Sequence, residues 1–439
     1  MTHKRRFRTD GSWQRFGPVV VAGSPLRLFR ASAAGESVFA AIEANEDIGP
    51  STLIDRLLDA GAIHPTTNRP MPRALPGPAV GPASSVETRS VDNATANFAT
   101  SDVTVVTPQF GGAVHDDGRI TVDDGSNPSL QNATIRLPIN KGPAAARNAA
   151  RPLIDTPLVA FVDSDVLLED RQWLERMIAH FDDPRVGLVA PRILGEENSP
   201  LDMGTEPARI RAGTRVSYVP GAVIVVRVAA FDSVGGFDEG LRFGEDVDFV
   251  WRLDEAGWRC RYEPTGTAWH EPRPTFAAKM KQHAAYGTSA APLAIRHPGA
   301  LTPTRMNGWT AIVWLLVGAG YPIVAATTAV GTAAALVPKL PGLPARTSLT
   351  LASRGHLAAG TQLAAAIRRV WWPLVLAVSL VSKRVRWIGL AAILASVRTT
   401  PTDVAYGWGV WKGMRRHRTW APIIPMLSSW PGRQGRSPK

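Results

Sequence analysis

Three acidic pairs in this chain are groups whose chemistry calls for a partner: Asp123-Asp124, Asp163-Ser164-Asp165 and Glu245-Asp246. Asp163 and Asp165 follow the apolar run Leu158–Val162, which reads as a strand. Side-chain alternation puts both on one side, two residues apart, where they repel each other. A divalent cation shared with phosphate oxygens relieves that repulsion. Mg2+ is typically held by one or two carboxylates plus substrate phosphates, and Mn2+ favours similar ligands. The same two residues also read as caps of a helix expected around 170–181.

The other candidates carry paired readings too. Asp123-Asp124-Gly125-Ser126 ends an apolar run; it reads as an Asp-Gly turn or as carboxylates accepting from a nucleobase or ribose. Lys141-Gly142-Pro143 opens a helix, with Pro143 marking its first turn. The start of that helix and Arg147 could favour a diphosphate, or the segment is an amphipathic helix with a solvated Arg. Gly244-Glu245-Asp246-Val247-Asp248 begins another helix. In the positive field at a helix start, an ionised Asp246 can take a proton from an attacking hydroxyl; acidic first-turn residues also occur without that role. His270 follows the run Tyr262–Ala268 and is either a metal or phosphate contact or an uninvolved histidine.

Such residues need strands that end together. Val103–Val106, Arg119–Val122, Leu158–Val162 and Val186–Val189 are short apolar strands, with helical segments around 141–151 and 170–181 between several of them. That alternation predicts an α/β class with a parallel sheet, whose ligands collect at the carboxyl ends of the strands.

Charge divides the chain. From Thr275 onward a single carboxylate, Asp403, faces 20 Lys and Arg, whereas the preceding residues carry 36 acids and 29 bases. The basic residues flank apolar segments and form no polar stripe, so the expected partner is anionic membrane lipid and not nucleic acid, despite a pI near 10.4. One cysteine, Cys260, excludes an intramolecular disulfide and a cysteine-based zinc site. The basic residues near the start are followed by no apolar run of secretory-signal length.

The organisation expected is a basic flexible N-terminus (1–24), a small helical module (25–64), a proline-rich linker (65–100), a catalytic α/β domain (101–290), hydrophobic membrane-associated helices (300–400) and a basic tail (401–439). In the module, Ser51 is the predicted N-cap of the second helix and Gly61 its stop. Ala311–Val337 is an uncharged run of 27 residues, long enough to cross a bilayer or to form a buried hairpin. Val370–Ser382, Lys383-Arg384-Val385-Arg386 and Trp387–Val397 read as an interfacial hairpin or a second span. Trp314, Trp371, Trp372 and Trp387 sit where an aromatic belt is expected.

In order, Val105-Val106-Thr107-Pro108, Asp123–Ser126, Asn140–Pro143 with Ala146-Arg147-Asn148, Asp163–Asp165, Gly235–Asp238, Gly244–Asp248 and His270 resemble the family-two glycosyltransferases of GT-A fold over about residues 101–275. The resemblance implies a Rossmann-like mixed, mostly parallel sheet. It implies a nucleotide-sugar site at Pro108, Asp123, Asp124, Lys141, Arg147, Asp163 and Asp165, with Asp123 or Asp124 on the nucleobase. A divalent cation, Mg2+ or Mn2+, would rest on Asp165, Asp163 and His270. Asp246 would be the catalytic base with Glu245 beside it, and Gly236-Phe237-Asp238 would form the acceptor loop. The implied reaction is an in-line displacement at the anomeric carbon with inversion. Two features depart from the family: Gln109-Phe110 replaces the usual basic or polar pair after Pro108, and no Gln-x-x-Arg-Trp motif follows His270, so processive polymer synthesis is not expected.

The small module resembles PqqD-like, winged-helix-like peptide-binding units. With the segment Tyr286–Pro292 ahead of an apolar tail, the chain is similar to the mycofactocin-system branch of that family. This implies a peptide-derived redox-cofactor precursor, premycofactocin, as acceptor and UDP-glucose as donor, at the cell membrane with the catalytic domain facing the cytoplasm. The alternative acceptor is a cell-wall or lipid-linked glycan.

Overall fold

Phe7-Arg8-Thr9 and Gln14-Arg15-Phe16 each set one aromatic beside two polar residues, and in the structure both are strands. The structure is a computed structural model describing residues 4–66, 98–112, 114, 117–168, 172–195, 199–271 and 275–428. The expected linker lies mainly outside the described residues (67–97), as does the end of the basic tail (429–439).

The N-terminal unit contains β1 (Phe7–Thr9), β2 (Gln14–Phe16), β3 (Val19–Ala22), β4 (Arg27–Arg30), α1 (Ala33–Glu43), α2 (Thr52–Asp59) and β5 (Ile63–Pro65). Strands β2, β3 and β4 form one antiparallel sheet, and β1 pairs with β5. Phe7, Val20, Phe29, Phe39, Leu57 and Ile63 share one buried core. Residues 7–22 therefore belong to the module, and the reading of 1–24 as a flexible basic end is corrected. The arginines that suggested fraying bond outward: Arg15 to Glu43 at 2.9 Å and Arg6 to Asp47 at 3.1 Å. Ser51 caps α2 by accepting from the Ile54 N–H at 3.2 Å. Buried Arg209 and Arg259 join the module to the next domain, each bonding Asp59, at 2.9 and 2.8 Å.

The middle domain has β6 (Val103–Gln109), β7 (Ile120–Asp124), β8 (Ile135–Leu137), α3 (Pro143–Ala149), β9 (Leu158–Val162), β10 (Val166–Leu167), α4 (Trp173–Ile178), β11 (Val186–Leu194), β12 (Ala208–Ile210), β13 (Val223–Arg227), α5 (Val228–Ser233), α6 (Glu245–Glu255) and β14 (Arg259–His270). Its nine-stranded sheet runs β10-β14-β11-β13-β9-β6-β7-β8, with β12 on β14. Neighbours β9, β6, β7 and β8 are parallel, and β13 reverses direction between β9 and β11. The expected class holds as a mixed α/β sheet. β9 is buried along its whole length, which its uninterrupted apolar sequence requires.

Beyond it come α7 (Phe276–Gly287), α8 (Ala290–Arg296), β15 (Arg305–Met306), α9 (Gly308–Ala319), α10 (Pro322–Leu336), α11 (Ala345–Ala366), α12 (Trp372–Ser379), α13 (Lys383–Leu394), α14 (Thr400–His417) and β16 (Met426–Leu427). The uncharged run 311–337 is not one helix. Gly320, in the left-handed region at φ 82°, ends α9, and Pro322 starts α10. Among the described residues one helical stretch, Pro322–Lys339, is long and apolar enough to cross a membrane. The four tryptophans expected in an aromatic belt differ in their surroundings. The indole N–H of Trp314 donates to His356 O and that of Trp371 to Ile423 O, tying elements together, and Trp372 packs on Gly407; only Trp387 of the four is largely exposed.

Candidate active site

Strand β7 delivers its two carboxylates to the backbone. Asp123 is fully buried and accepts from the N–H groups of Ser126 (2.9 Å) and Leu130 (3.1 Å). Burial opposes ionisation there, yet those bonds hold the Asp123 carboxyl below its usual range. Asp124 accepts from Lys141 N–H at 2.7 Å and Gly142 N–H at 2.8 Å. It thereby clamps the start of α3, while the Lys141 side chain is exposed. Pro108 is buried opposite Val122 in the sheet. Both aspartates hold the loops at the ends of β7 and the start of α3, where the expected nucleobase site lies.

Arg147 is the largest change from the sequence reading. It is buried at 1% exposure, so the reading of a solvated arginine on an amphipathic helix is corrected. Its Nη2 donates to Asp163 Oδ1 at 2.7 Å and to Gly221 O at 3.0 Å, and its Nη1 to Glu245 Oε1 at 3.3 Å. Its guanidinium lies 5.2 Å from the Phe237 ring centroid. One cation thus joins the end of β9, the turn before β13 and the start of α6. Gly221 permits this: a Cβ there would sit 3.1 Å from Arg147 Nη2 and 3.2 Å from Asp246 Cβ.

Asp163 and Asp165 are divided by this arrangement. Asp163 binds Arg147, while Asp165 is exposed and its Oδ2 lies 3.5 Å from His270 Nε2. Strand β10 sets that distance, because Val166 pairs with His270 across the sheet. Asp165 therefore caps no helix. Asp163, expected beside the metal, is an ion-pair partner of Arg147 in this structure. Asp165 and His270 remain together at the open end of the sheet. Among the described residues no group of three or more His, Cys, Asp or Glu side chains is placed to hold an ion by itself.

At the start of α6, Asp246 Oδ2 accepts from Gly221 N–H at 2.9 Å and Oδ1 from Val247 N–H at 2.8 Å. Glu245 beside it is buried. Burial, then the neighbouring Asp246 charge, pushes the Glu245 carboxyl up to about 7, against the pull of Arg147. Further along α6, buried Asp248 bonds Arg252 at 2.7 Å and His297 Nε2 at 3.1 Å, and His297 Nδ1 reaches Glu255 at 2.7 Å. Burial works against the charged ring, but those two carboxylates raise the His297 pKa above its ordinary value.

The expected acceptor loop turns inward. Phe237 is buried among Phe161, Phe231 and Phe249, with ring centroids 5.4, 5.9 and 4.4 Å away. Asn148 pins it, donating to Phe237 O at 2.8 Å and accepting from Phe237 N–H at 2.9 Å. Gly236 lies against the same Asn148 side chain. Of the three, Asp238 is at the surface, paired with Arg296 at 2.5 Å. Phe237 is corrected from acceptor contact to core.

Residues to which the sequence assigned no site role line the open side. A cleft beside His270 is bounded by Ser199, Leu201, Lys279, Gln282, His283 and Tyr286. Gln282 donates to the Tyr286 hydroxyl at 2.8 Å. Burial, then nearby Tyr406 and Asp246, pushes the Tyr218 hydroxyl up to about 12, so the surroundings of Asp246 include α14. Helices α7 and α14 touch backbone to backbone; a Cβ on Gly287 would lie 2.0 Å from Tyr406 O.

Residues 120–219 match the family described as glycosyl transferase family 2, and residues 202–288 match glycosyltransferase-like family 2. A pre-mycofactocin glycosyltransferase of Mycobacterium tuberculosis is 34% identical across 96% of this chain and 96% of its own length. An N-acetylglucosaminyl-diphospho-decaprenol L-rhamnosyltransferase of the same organism is 34% identical over 21% of this chain and 29% of its own. A solved mannosyltransferase from Pyrobaculum calidifontis, in complex with GDP-Man and Mn2+, aligns over 73% of this chain and 87% of its own at 15% identity and TM-score 0.41. With two family-2 domain matches and an alignment running nearly end to end with one such enzyme, the chain belongs to glycosyltransferase family 2 and is a nucleotide-sugar-dependent glycosyltransferase.

Proposed function

We propose that this enzyme transfers a hexosyl group, with glucose from UDP-glucose as the expected donor, to a peptide-derived redox-cofactor precursor, premycofactocin, with inversion at the anomeric carbon. The observation that carries the mechanism is the position of Asp246. It sits in the first turn of α6, fixed by the Gly221 N–H, on the loop that Arg147 joins to the end of β9. A carboxylate so held can accept the proton of an acceptor hydroxyl as that oxygen attacks the sugar. The acceptor O–C bond forms as the bond from the anomeric carbon to the diphosphate breaks, and the leaving group departs as nucleoside diphosphate. Asp165 and His270 fit a divalent cation only as part of a site that the donor's diphosphate completes, since Asp163 is held by Arg147. Such an ion, when bound, would neutralise charge on the leaving diphosphate. The acceptor reading rests on similarity along the full chain to the pre-mycofactocin enzyme. A peptide-binding role for the N-terminal module, by its PqqD-like resemblance, is part of the proposal. So is a location at the cell membrane with the catalytic domain facing the cytoplasm.

The test is Asp246→Asn. Turnover of UDP-glucose and premycofactocin should fall about 10²–10⁴-fold, while UDP-glucose binding by titration calorimetry stays unchanged. Turnover near the wild-type rate would remove Asp246 from the mechanism. Transfer to a lipid-linked glycan with none to premycofactocin would replace the acceptor and keep the chemistry.

A further inference from the structure

The C-terminal helices leave the body of the protein and come back to it. The chain departs at Arg305, whose guanidinium lies against Gly213 of the middle domain and bonds Gly299 O at 2.5 Å. It runs out along α9, turns at Gly320-Tyr321, and returns along α10. At Pro341 its carbonyl accepts from Arg30 of the N-terminal module at 2.5 Å, and Gly342 packs against Val19. A second excursion does the same. It leaves near Arg368, which bonds Asp403 at 3.0 Å, runs out along α12, turns at Leu380–Ser382 and returns along α13. The Ala392 carbonyl of α13 then accepts from Arg368 at 2.7 Å.

The two turns are neighbours. Arg384, at the start of α13, donates to Ala319 O at the end of α9 at 2.5 Å, and its guanidinium lies over Gly320. The shared tip is apolar and open: Tyr321 is 59% exposed, Ile323 79%, Leu380 77% and Val381 88%. Trp387 and Leu394 continue this exposed face along α13. From Arg305 to Arg398 there are ten Lys and Arg and no Asp or Glu.

This topology excludes a single crossing. The first excursion departs beside the middle domain and returns beside the module, and those two are joined directly by Arg209 and Arg259 on Asp59. One crossing would place them on opposite sides of the bilayer. A double crossing needs both arms to reach across about 30 Å of hydrocarbon. The 12 residues of α9 rise about 18 Å, and the arm from Arg368 through a π-helical turn, Ile367–Trp371, to the end of α12 at Ser379 rises about as far.

We infer that α9–α10 and α12–α13 form a paired monotopic anchor whose apolar tip enters one leaflet of an anionic bilayer. The flanking cations meet lipid headgroups, and the whole globular body stays on one side. The inference rests on the membrane location proposed above and specifies how the chain attaches. Anionic headgroups answer both the positive charge and the open apolar tip.

The experiment uses the full chain and vesicles of phosphatidylglycerol and phosphatidylcholine. Cys260, the only cysteine, is buried, so Val381→Cys and Ser37→Cys each offer one site for a solvent-sensitive fluorophore. The chain should float with the vesicles, and the label at 381 should blue-shift and resist iodide supplied outside or trapped inside. The label at 37 should be quenched from outside. Ile323→Glu with Val381→Glu should weaken flotation about tenfold or more. A chain that remains in the aqueous fraction without detergent would defeat the membrane location itself. A vesicle-bound chain whose 381 label is quenched by trapped iodide, or by external iodide, would defeat the monotopic anchor and leave that location standing.

Discussion

The two sides of the active site use aspartate in opposite ways. On the β7–α3 side, Asp123 and Asp124 each meet two backbone N–H groups and build the walls. On the β9–α6 side, Asp165 stays exposed beside His270, while Asp163 and Glu245 flank one buried guanidinium. A motif gives the position of a carboxylate but not its role. What decides the role is the number of N–H donors within reach and the depth of the side chain.

The largest test of this contrast is Arg147. Arg147→Met keeps much of the volume but leaves Asp163 and Glu245 without their shared cation. Removing one member of a buried ion pair costs about 3–5 kcal/mol. Urea denaturation should show a loss of that order, and activity should fall with it because Gly221, which orients Asp246, loses its carbonyl donor. A loss of stability within about 0.5 kcal/mol, the range of ordinary surface changes, would mean that Arg147 is not the joint between β9 and α6.

A smaller effect separates the two sides directly. In Asp124→Asn, one amide oxygen must serve where two N–H groups are met now, and the amide nitrogen faces a donor. Stability should drop about 1–3 kcal/mol, the cost of a buried unmet donor. Asp165→Asn, at an exposed position, should leave stability within about 0.5 kcal/mol and reduce turnover instead. Its rate should also need more Mn2+ to saturate. If both variants unfold alike and Asp165→Asn turns over normally, the division between walls and open ligands is wrong.

The sequence made legible what local pattern controls. Apolar strands ending in acids, Pro143 at a helix start and the Ser51 cap all appear where expected. Long-range pairing was hidden: Arg147 meets Glu245 across 98 positions, and nothing around 147 distinguishes a buried hub from a solvated arginine. Phe237 looked like a loop residue because its partners, Phe161, Phe231 and Phe249, come from a strand and two helices. The strands within residues 7–22 were masked by arginines, whose counter-ions lie in α1 and beyond. In the uncharged run 311–337, hydropathy showed the length and not the turn, although Gly320 and Pro322 supplied a helix stop and start side by side.

The smallest effect lies in pH. Glu245 has a folded-state pKa raised to about 7 from an ordinary 4.5, so the folded protein binds its proton more tightly than the unfolded chain. The stability this contributes is fully present below about pH 4.5 and is lost as pH rises through about 7. His297 adds to the slope with the same sign. Its raised pKa gives stability that is present below its unfolded value near 6.5 and declines above it. The two are separable, because Glu245→Gln removes one titration and leaves His297 with Asp248 and Glu255. Stability measured from pH 5 to pH 8 should therefore fall less steeply in Glu245→Gln than in the wild type, with the difference concentrated below pH 7. Parallel curves would mean that Arg147 keeps Glu245 ionised throughout. The buried cation would then hold two full negative charges, and Asp246 would act beside a charged neighbour instead of a neutral one.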